Sequence, residues 1–321
     1  DTITVQIPGW VLSIPWKEVF FRRLWLDRVA LPRTMRRKQG ILFQPYQAVT
    51  AWISRRYPTV MTVHDLYFQD YPDTMSPLML SLTRWRHWKF IRSCTRVITP
   101  SEYVRDQIRK TYPQIPPNRI QAIHNPIVVH AEEQERLEVP EPFILSVNAL
   151  RVHKNLVTLI RAFNRINGVI PHSLVLTGPG DPLGEEQIRE CLEEVGENKV
   201  VTTGYLTDAQ RNYLYQQADL FVSPSMYEGF GMTPVEAALF GTDVLTTTMT
   251  SLPEVTRGLL HSYEPADDPE VLAQAILKCL EEPRSEEQRQ EIAREFRTAY
   301  EPEAVAEEYF ELFREVWREC K

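Results

Sequence analysis

"DLFVSPSMYEGFGMTPVEAALFGTDVLTTT", Asp219 to Thr248, holds in order an apolar run, a loop with two glycines, an amphipathic segment and a second apolar run. "DLFVS" and "DVLTTT" are short, rich in branched and aromatic residues, and bounded by Pro224 and Gly241, which reads as two buried strands. Between them Thr233, Pro234 and Glu236 fit the N-cap, first and third helical positions, so "TPVE" reads as a capping box opening a helix over 233–240. Gly229 and Gly231 fall just before that helix, where free backbone N–H groups favour an anion and missing side chains let a phosphate approach. Glu228 and Glu236 flank the loop, and carboxylates accept hydrogen bonds from sugar or ribose hydroxyls.

The same alternation extends in both directions. "FILSV" (143–147), "SLVLTG" (173–178) and "KVVTTG" (199–204) read as further strands, and helices fit 184–195, 207–217 and 268–282. In "NLVTLIRAFNRI", Leu156, Leu159, Ile160, Phe163 and Ile166 share one face, with Asn155 at the N-cap. These segments make one five-stranded, doubly wound α/β domain. Upstream, "TVMTVHD" (59–65), "RVITP" (96–100) and "RIQAIHN" (119–125) read as strands, and Ser101 as the cap of the helix that follows, giving a second α/β domain. Proline and charge in "PIVVHAEEQERLEVPEP" (126–142) mark the connection. The expected division is 1–133, 134–300 and a terminal helix over 301–321. That helix starts with Pro302 at its first position, carries Val305, Tyr309, Leu312, Phe313 and Val316 on one side, and is expected to pack back on the N-terminal domain.

A chain of 321 residues suits two cores, and 43% apolar with 25% charged residues is the composition of a globular protein. No apolar run approaches the ~18 residues of a membrane span and no signal peptide opens the chain, so a cytoplasmic protein is expected. Cys94, Cys191, Cys279 and Cys320 are too scattered for a disulfide framework or a zinc site. The net charge of -7 conceals an asymmetry: residues 1–130 hold 19 Lys and Arg against 8 Asp and Glu, and the remainder 17 against 35. The basic half suits an anionic partner. Within it, "PWKEVFFRRLWLDRVALPRTMRRK" and "TRWRHWKFIR" interleave cations with aromatic rings, a pattern that suits an anionic membrane interface and also single-stranded nucleic acid.

"PSMYEGFGMTPVEAALFGTDVLTT", preceded by "GYLTDAQRNYLYQQADLFVSPS" and followed by "SLPEV", resembles the nucleotide-sugar-binding domain of retaining glycosyltransferases of the GT-B group. The resemblance is to group 1 of glycosyltransferase family 4, which includes bacterial mannosyltransferases and carries a Glu-x7-Glu signature, matched by Glu228 and Glu236. It implies a GT-B fold of two Rossmann-like domains facing a central cleft. Residues 1–133 would form the acceptor side and 134–300 would bind the nucleotide sugar. It implies transfer of a hexose from a nucleoside-diphosphate sugar, GDP-mannose first and UDP-sugars second, to a glycan or lipid-linked acceptor. By it Glu236 binds the ribose diol and Glu228 the transferred sugar. The backbone N–H groups of Phe230, Gly231, Met232 and Thr233 meet sugar and diphosphate, and Lys154 with Arg151 holds the diphosphate. The segment Gly204, Tyr205 and Leu206 meets the base, "SLPEV" (251–255) lies near the nucleotide, and His64 faces the donor sugar.

The resemblance further implies polysaccharide assembly at the inner face of a membrane, with no nucleic-acid partner, no cofactor and no metal, since "ADD" (266–268) reads as a surface loop. Members of the family open with a strand and a glycine-rich loop, whereas this sequence opens with "DTITVQIPGWVLSIPW", so a shortened N-terminal domain is expected. Two readings of other classes stand beside transfer: a nucleotide-sugar epimerase or hydrolase on the same fold, and a nucleotide-sugar-binding protein without catalysis. A nicotinamide-dependent oxidoreductase is weaker, because "GPGDPLG" (178–184) lacks the GxGxxG spacing.

Overall fold

Two separate all-parallel sheets organise the chain in the computed structural model, which describes residues 29–37, 40–46, 54–196 and 199–320. The basic, aromatic stretch 15–38 lies mostly outside the described residues, and the opening segment 1–16 wholly so. One compact unit comprises the described residues up to Pro100, Val104–Ile123 and those from Ala306 onward; the other comprises Ser101–Tyr103 and His124–Val305.

The first unit holds β1 (Leu42–Gln44), β2 (Thr59–Thr62), β3 (Arg96–Thr99) and β4 (Ile120–Ala122), hydrogen-bonded in that order. Every residue of β2 is buried, as a parallel strand covered on both faces requires. The later part of the helix Pro302–Glu319 belongs to this unit, with Tyr309 and Phe313 against the ring of Phe43 at centroid distances of 5.6 and 5.3 Å. Glu319 pairs with Arg96 at the start of β3. The helix Pro77–Ser93 turns Ile91 into this core and leaves Leu78, Met79, Leu82 and Trp85 exposed.

The second unit contains β5 (Phe143–Val147), β6 (Ser173–Thr177), β7 (Val200–Gly204), β8 (Leu220–Ser223), β9 (Val244–Thr247) and β10 (His261–Tyr263), in the spatial order β10-β9-β8-β5-β6-β7. This sheet has six strands rather than the expected five. Its extra member, β10, is a three-residue edge strand, "HSY", with one buried residue and hence no apolar run to announce it. Helices cover both faces. Leu156–Ile166 and Pro269–Glu281 bury Leu159, Ile160, Phe163, Leu272 and Ile276 on one side, each such side chain contributing about 1.5–3 kcal/mol of transfer free energy. Asp208–Gln217, Met232–Leu239 and Glu286–Ala299 bury Leu214, Tyr215, Val235 and Phe296 on the other.

The chain leaves β5 towards β6 and β7, then returns past β5 to lay down β8, β9 and β10. That reversal is a topological switch point, where loops leaving the carboxyl ends of neighbouring strands part and open a crevice. The neighbours here are β5 and β8, followed by the segments that carry Lys154 and Glu228.

Candidate functional site

The segment after β5 closes in a 3-10 turn, Val152–Lys154, and Asn155 then takes a left-handed conformation, φ 57°, to start the helix Leu156–Ile166. Asparagine tolerates that conformation better than most residues. Asn155 stands at the N-cap, as its place in the sequence predicts, yet its side chain does not cap. Its Nδ2 donates to the carbonyls of Pro224, 3.1 Å, and Ala266, 2.8 Å, tying together the segments that follow β5, β8 and β10. The amide of Met226 adds a bond to the carbonyl of His153, 2.9 Å.

These ties bring Lys154 and Glu228 together: Lys154 Nζ donates to Glu228 Oε1 at 2.6 Å. The loop behind Glu228 is clamped through its main chain. Thr250 Oγ1 accepts from the Glu228 amide, 2.9 Å, and lies 3.1 Å from its carbonyl oxygen. Ser251 Oγ lies 2.9 Å from that same oxygen and 3.0 Å from the carbonyl oxygen of Phe230. "SLPEV", expected as a loop, is a helical turn over Leu252–Val255 whose first side chain packs beneath Gly231. Neighbouring His153 is buried, and desolvation, reinforced by the Lys154 charge, lowers its pKa to about 4, so it is neutral at pH 7.

The capping box expected at Thr233 is not formed. The helix starts at Met232, with Gly231 as its N-cap at φ 91° and no side-chain cap. A Cβ on Gly231 would stand 2.7 Å from Leu252 Cδ2 in a backbone conformation that side chains rarely adopt, so glycine is favoured there, and this left-handed turn begins the helix two residues before the sequence grammar would. Pro234 is still accommodated, because the first four N–H groups of a helix have no partner within it. Glu236 is thereby released from capping. Its Oε2 accepts from the hydroxyl of Tyr215, 3.0 Å, and it lines a cleft of about 90 Å³ with Val128, His130, Arg211 and Phe240.

The remaining predicted residues fall in four places. Arg151 is exposed and sits 3.6 Å from Asp181, the residue that caps the helix Pro182–Val195, and it borders a groove of about 350 Å³ with Arg161 and Gln187. Gly204, at φ 70°, ends β7; Tyr205 after it is 80% exposed, and Leu206 packs on the core. In the first unit, His64 Nε2 lies 2.7 Å from the carbonyl oxygen of Pro45 beside the ring of Tyr46, while Asp65 Oδ1 accepts from the amide of Tyr67 and so begins the next turn. Phe230 is buried against Tyr300, Met232 is exposed and Thr233 half-buried. Sequence reasoning missed Tyr215, Thr250 and the tying role of Asn155, for their parts depend on contacts distant in the chain. Among the described residues, His130, Glu132 and Glu133 form an exposed group able to gather a cation.

Residues 130–296 match the family model "Glycosyl transferases group 1", and residues 7–130 match "Glycosyltransferase Family 4". The chain belongs to the group 1 glycosyl transferases. Serotype-specific mannosyltransferase WbdA of Escherichia coli is 35% identical to this group 1 protein over 126 residues, 38% of this chain and 16% of WbdA. The alignable part is thus about a sixth of that relative's length. Alpha-maltose-1-phosphate synthase of Mycobacterium tuberculosis is 25% identical over 267 residues, 73% of this chain and 67% of the synthase. Among solved structures, sucrose-phosphate synthase from Thermosynechococcus elongatus matches with a TM-score of 0.72 at 22% identity, covering 95% of this chain and 81% of that one. Anabaena HepE in complex with UDP-glucose matches with a TM-score of 0.73 at 17% identity, over 94% and 84%. At those identities the likeness is one of fold, and the fold is GT-B. No helix among the described residues of this group 1 glycosyl transferase is long and apolar enough to cross a membrane.

Proposed function

We propose that the chain is a retaining, metal-independent hexosyltransferase that takes its sugar from a nucleoside-diphosphate donor, GDP-mannose first and UDP-sugars second. The acceptor is a glycan or a lipid-linked glycan. The observation that carries this reading is the placement of the Lys154 ammonium on Glu228 beyond the adjacent strands β5 and β8, at the switch point of the six-stranded sheet. In this reading Lys154 and the free N–H groups at the start of the helix Met232–Leu239 take the diphosphate. Glu236, steadied by Tyr215, accepts from the ribose hydroxyls, and Glu228 accepts from hydroxyls of the sugar.

The bond between the anomeric carbon and the diphosphate oxygen breaks, a bond to the acceptor oxygen forms on the same face of the sugar, and the proton of the acceptor hydroxyl passes to the departing phosphate. Front-face attack and a covalent relay both build negative charge on the departing oxygen. A fixed ammonium and backbone N–H groups in a partly dry site stabilise such charge without rearranging. Similarity to a mannosyltransferase and to synthases of phosphorylated sugars supports the substrate class. A cytoplasmic site of action at an anionic membrane surface fits the basic N-terminal half and the exposed Leu78, Leu82 and Trp85, over which Lys89 lies 4.4 Å from the Trp85 ring.

Thermal-shift titration with GDP, UDP, ADP and dTDP, followed by transfer assays, tests the assignment. Lys154→Ala and Glu236→Ala are expected to lose both the shift and the transfer. Undiminished binding by both variants would overturn it.

A further inference from the structure

The Lys154–Glu228 pair is largely withdrawn from water, with side chains 16% and 10% exposed. Charges so placed are weakly screened, and their balance governs which anions the site accepts. From this geometry we propose that Glu228 makes the site discriminate between a nucleoside-diphosphate sugar and the free nucleoside diphosphate, weakening the hold on the latter so that it leaves after transfer. The proposal rests on the donor-site reading above.

Transfer changes the charge and the donors around the outer phosphate. In the donor, one oxygen of that phosphate is bonded to the anomeric carbon, and the attached sugar brings hydroxyl donors that a carboxylate accepts. Once that bond has broken and the acceptor's proton has passed from the phosphate to water, the oxygen is free and ionised, and the hydroxyls have left with the acceptor. Glu228 then faces added negative charge with no proton to share. The ammonium that would attract this charge is already hydrogen-bonded to Glu228. The carboxylate thus acts by attraction towards the donor and by repulsion towards the leaving group, and discrimination is strongest when both operate.

The loop allows a clean test. Thr250 and Ser251 hold Glu228 by its main-chain amide and carbonyl, so the side chain can lose its charge while the loop keeps these anchors. Isothermal titration of the full chain, with Glu228→Gln and Lys154→Met as variants, would use GDP, GDP-mannose, UDP and UDP-glucose as probes. Glu228→Gln is expected to bind the preferred free diphosphate about tenfold more tightly and to gain nothing for the matching sugar nucleotide. Lys154→Met is expected to weaken both by at least about tenfold, to the point of undetectable binding. Should the glutamine variant fold poorly in a thermal melt, Glu228→Ser reads the same ratio. An unchanged ratio in the folded Glu228 variant, with Lys154→Met weakening both ligands, overturns the discrimination and leaves the donor site standing. If Lys154→Met weakens neither, or the unmodified chain binds none of the four probes, the donor-site reading falls and the discrimination with it.

Discussion

Tyr215 donates its hydroxyl proton to Glu236 Oε2 at 3.0 Å from a ring that is wholly buried beside Phe221 and Phe240. Burial, followed by the Glu236 charge, holds the phenol pKa well above its ordinary value, so the hydroxyl stays a donor throughout the physiological range. One carboxylate oxygen of Glu236, Oε2, is thereby fixed.

Tyr215→Phe removes that bond and little else. It is expected to lower stability by about 1.5–3 kcal/mol in urea denaturation, the range for a hydrogen bond to a charged group. If Glu236 receives a ribose diol, the variant loses several-fold affinity for a ribonucleoside diphosphate and less for its 2′-deoxy analogue, as calorimetry would show.

Gly231→Ala places a methyl group 2.7 Å from Leu252 and forces alanine to φ 91°. Strain of this kind costs about 1–3 kcal/mol. The variant should shift the urea midpoint down and disturb nucleotide binding, because the turn it deforms starts the helix Met232–Leu239. Gly258→Ala, at φ 67° with open space around its Cβ position, is the control that loses stability without touching the nucleotide.

Much of this arrangement is legible in the sequence, to an unequal degree. β5 coincides with "FILSV", and the expected runs at β6 to β9 are each within a residue of the observed strands, because strands buried on both faces are uninterrupted apolar runs. β1 and β10, three residues long at sheet edges, escape notice, whereas the equally short edge strand β4 is legible because Ile120 and the buried Ile123 just beyond it prolong its apolar pattern. The helix Glu286–Ala299 was legible and passed over: Ser285 and Gln288 form the capping box that "TPVE" does not. In "TPVE" local grammar lost to a backbone requirement, since a glycine at positive φ overrides the preference of the threonine two residues later. Lys154 and Glu228 are each marked by motif, but their pairing depends on strand order, and the Tyr215 contact on how two helices lie on one sheet face. Arg151 shows the reverse, a motif cation whose nearest carboxylate partner is Asp181.

Acid should unfold the second unit in two steps. His153, with its pKa lowered to about 4, takes up a proton more readily unfolded than folded. Its contribution is complete above about pH 6.5 and is lost as pH falls towards 4, about 3 kcal/mol in all. Asp243 follows. Burial raises its carboxyl pKa, but His261 and Arg284 outweigh that and hold it at about 2. Its contribution is complete above about pH 4 and disappears as pH falls through 2, about 2 kcal/mol. Denaturation at stepped pH should show His153→Leu flattening the upper step and Asp243→Asn the lower.

Serine at Leu78, Leu82 and Trp85 should leave the melting temperature nearly unchanged, because these side chains are 79%, 42% and 52% exposed. If the helix Pro77–Ser93 meets anionic lipid, the triple variant will sediment less with phosphatidylglycerol vesicles than the unmodified chain. Equal sedimentation would dismiss this surface.

Lys154 and Glu228 stand 74 positions apart in the chain and meet because the strand order reverses between β5 and β8. Tolerance to insertion is therefore graded across the sheet. Residues added beyond β7 lengthen a periphery, while one residue lost after β5 or β8 moves a charge off its partner, and one lost after β10 moves Ala266 off Asn155. Length is thus fixed most tightly in the two segments that follow β5 and β8.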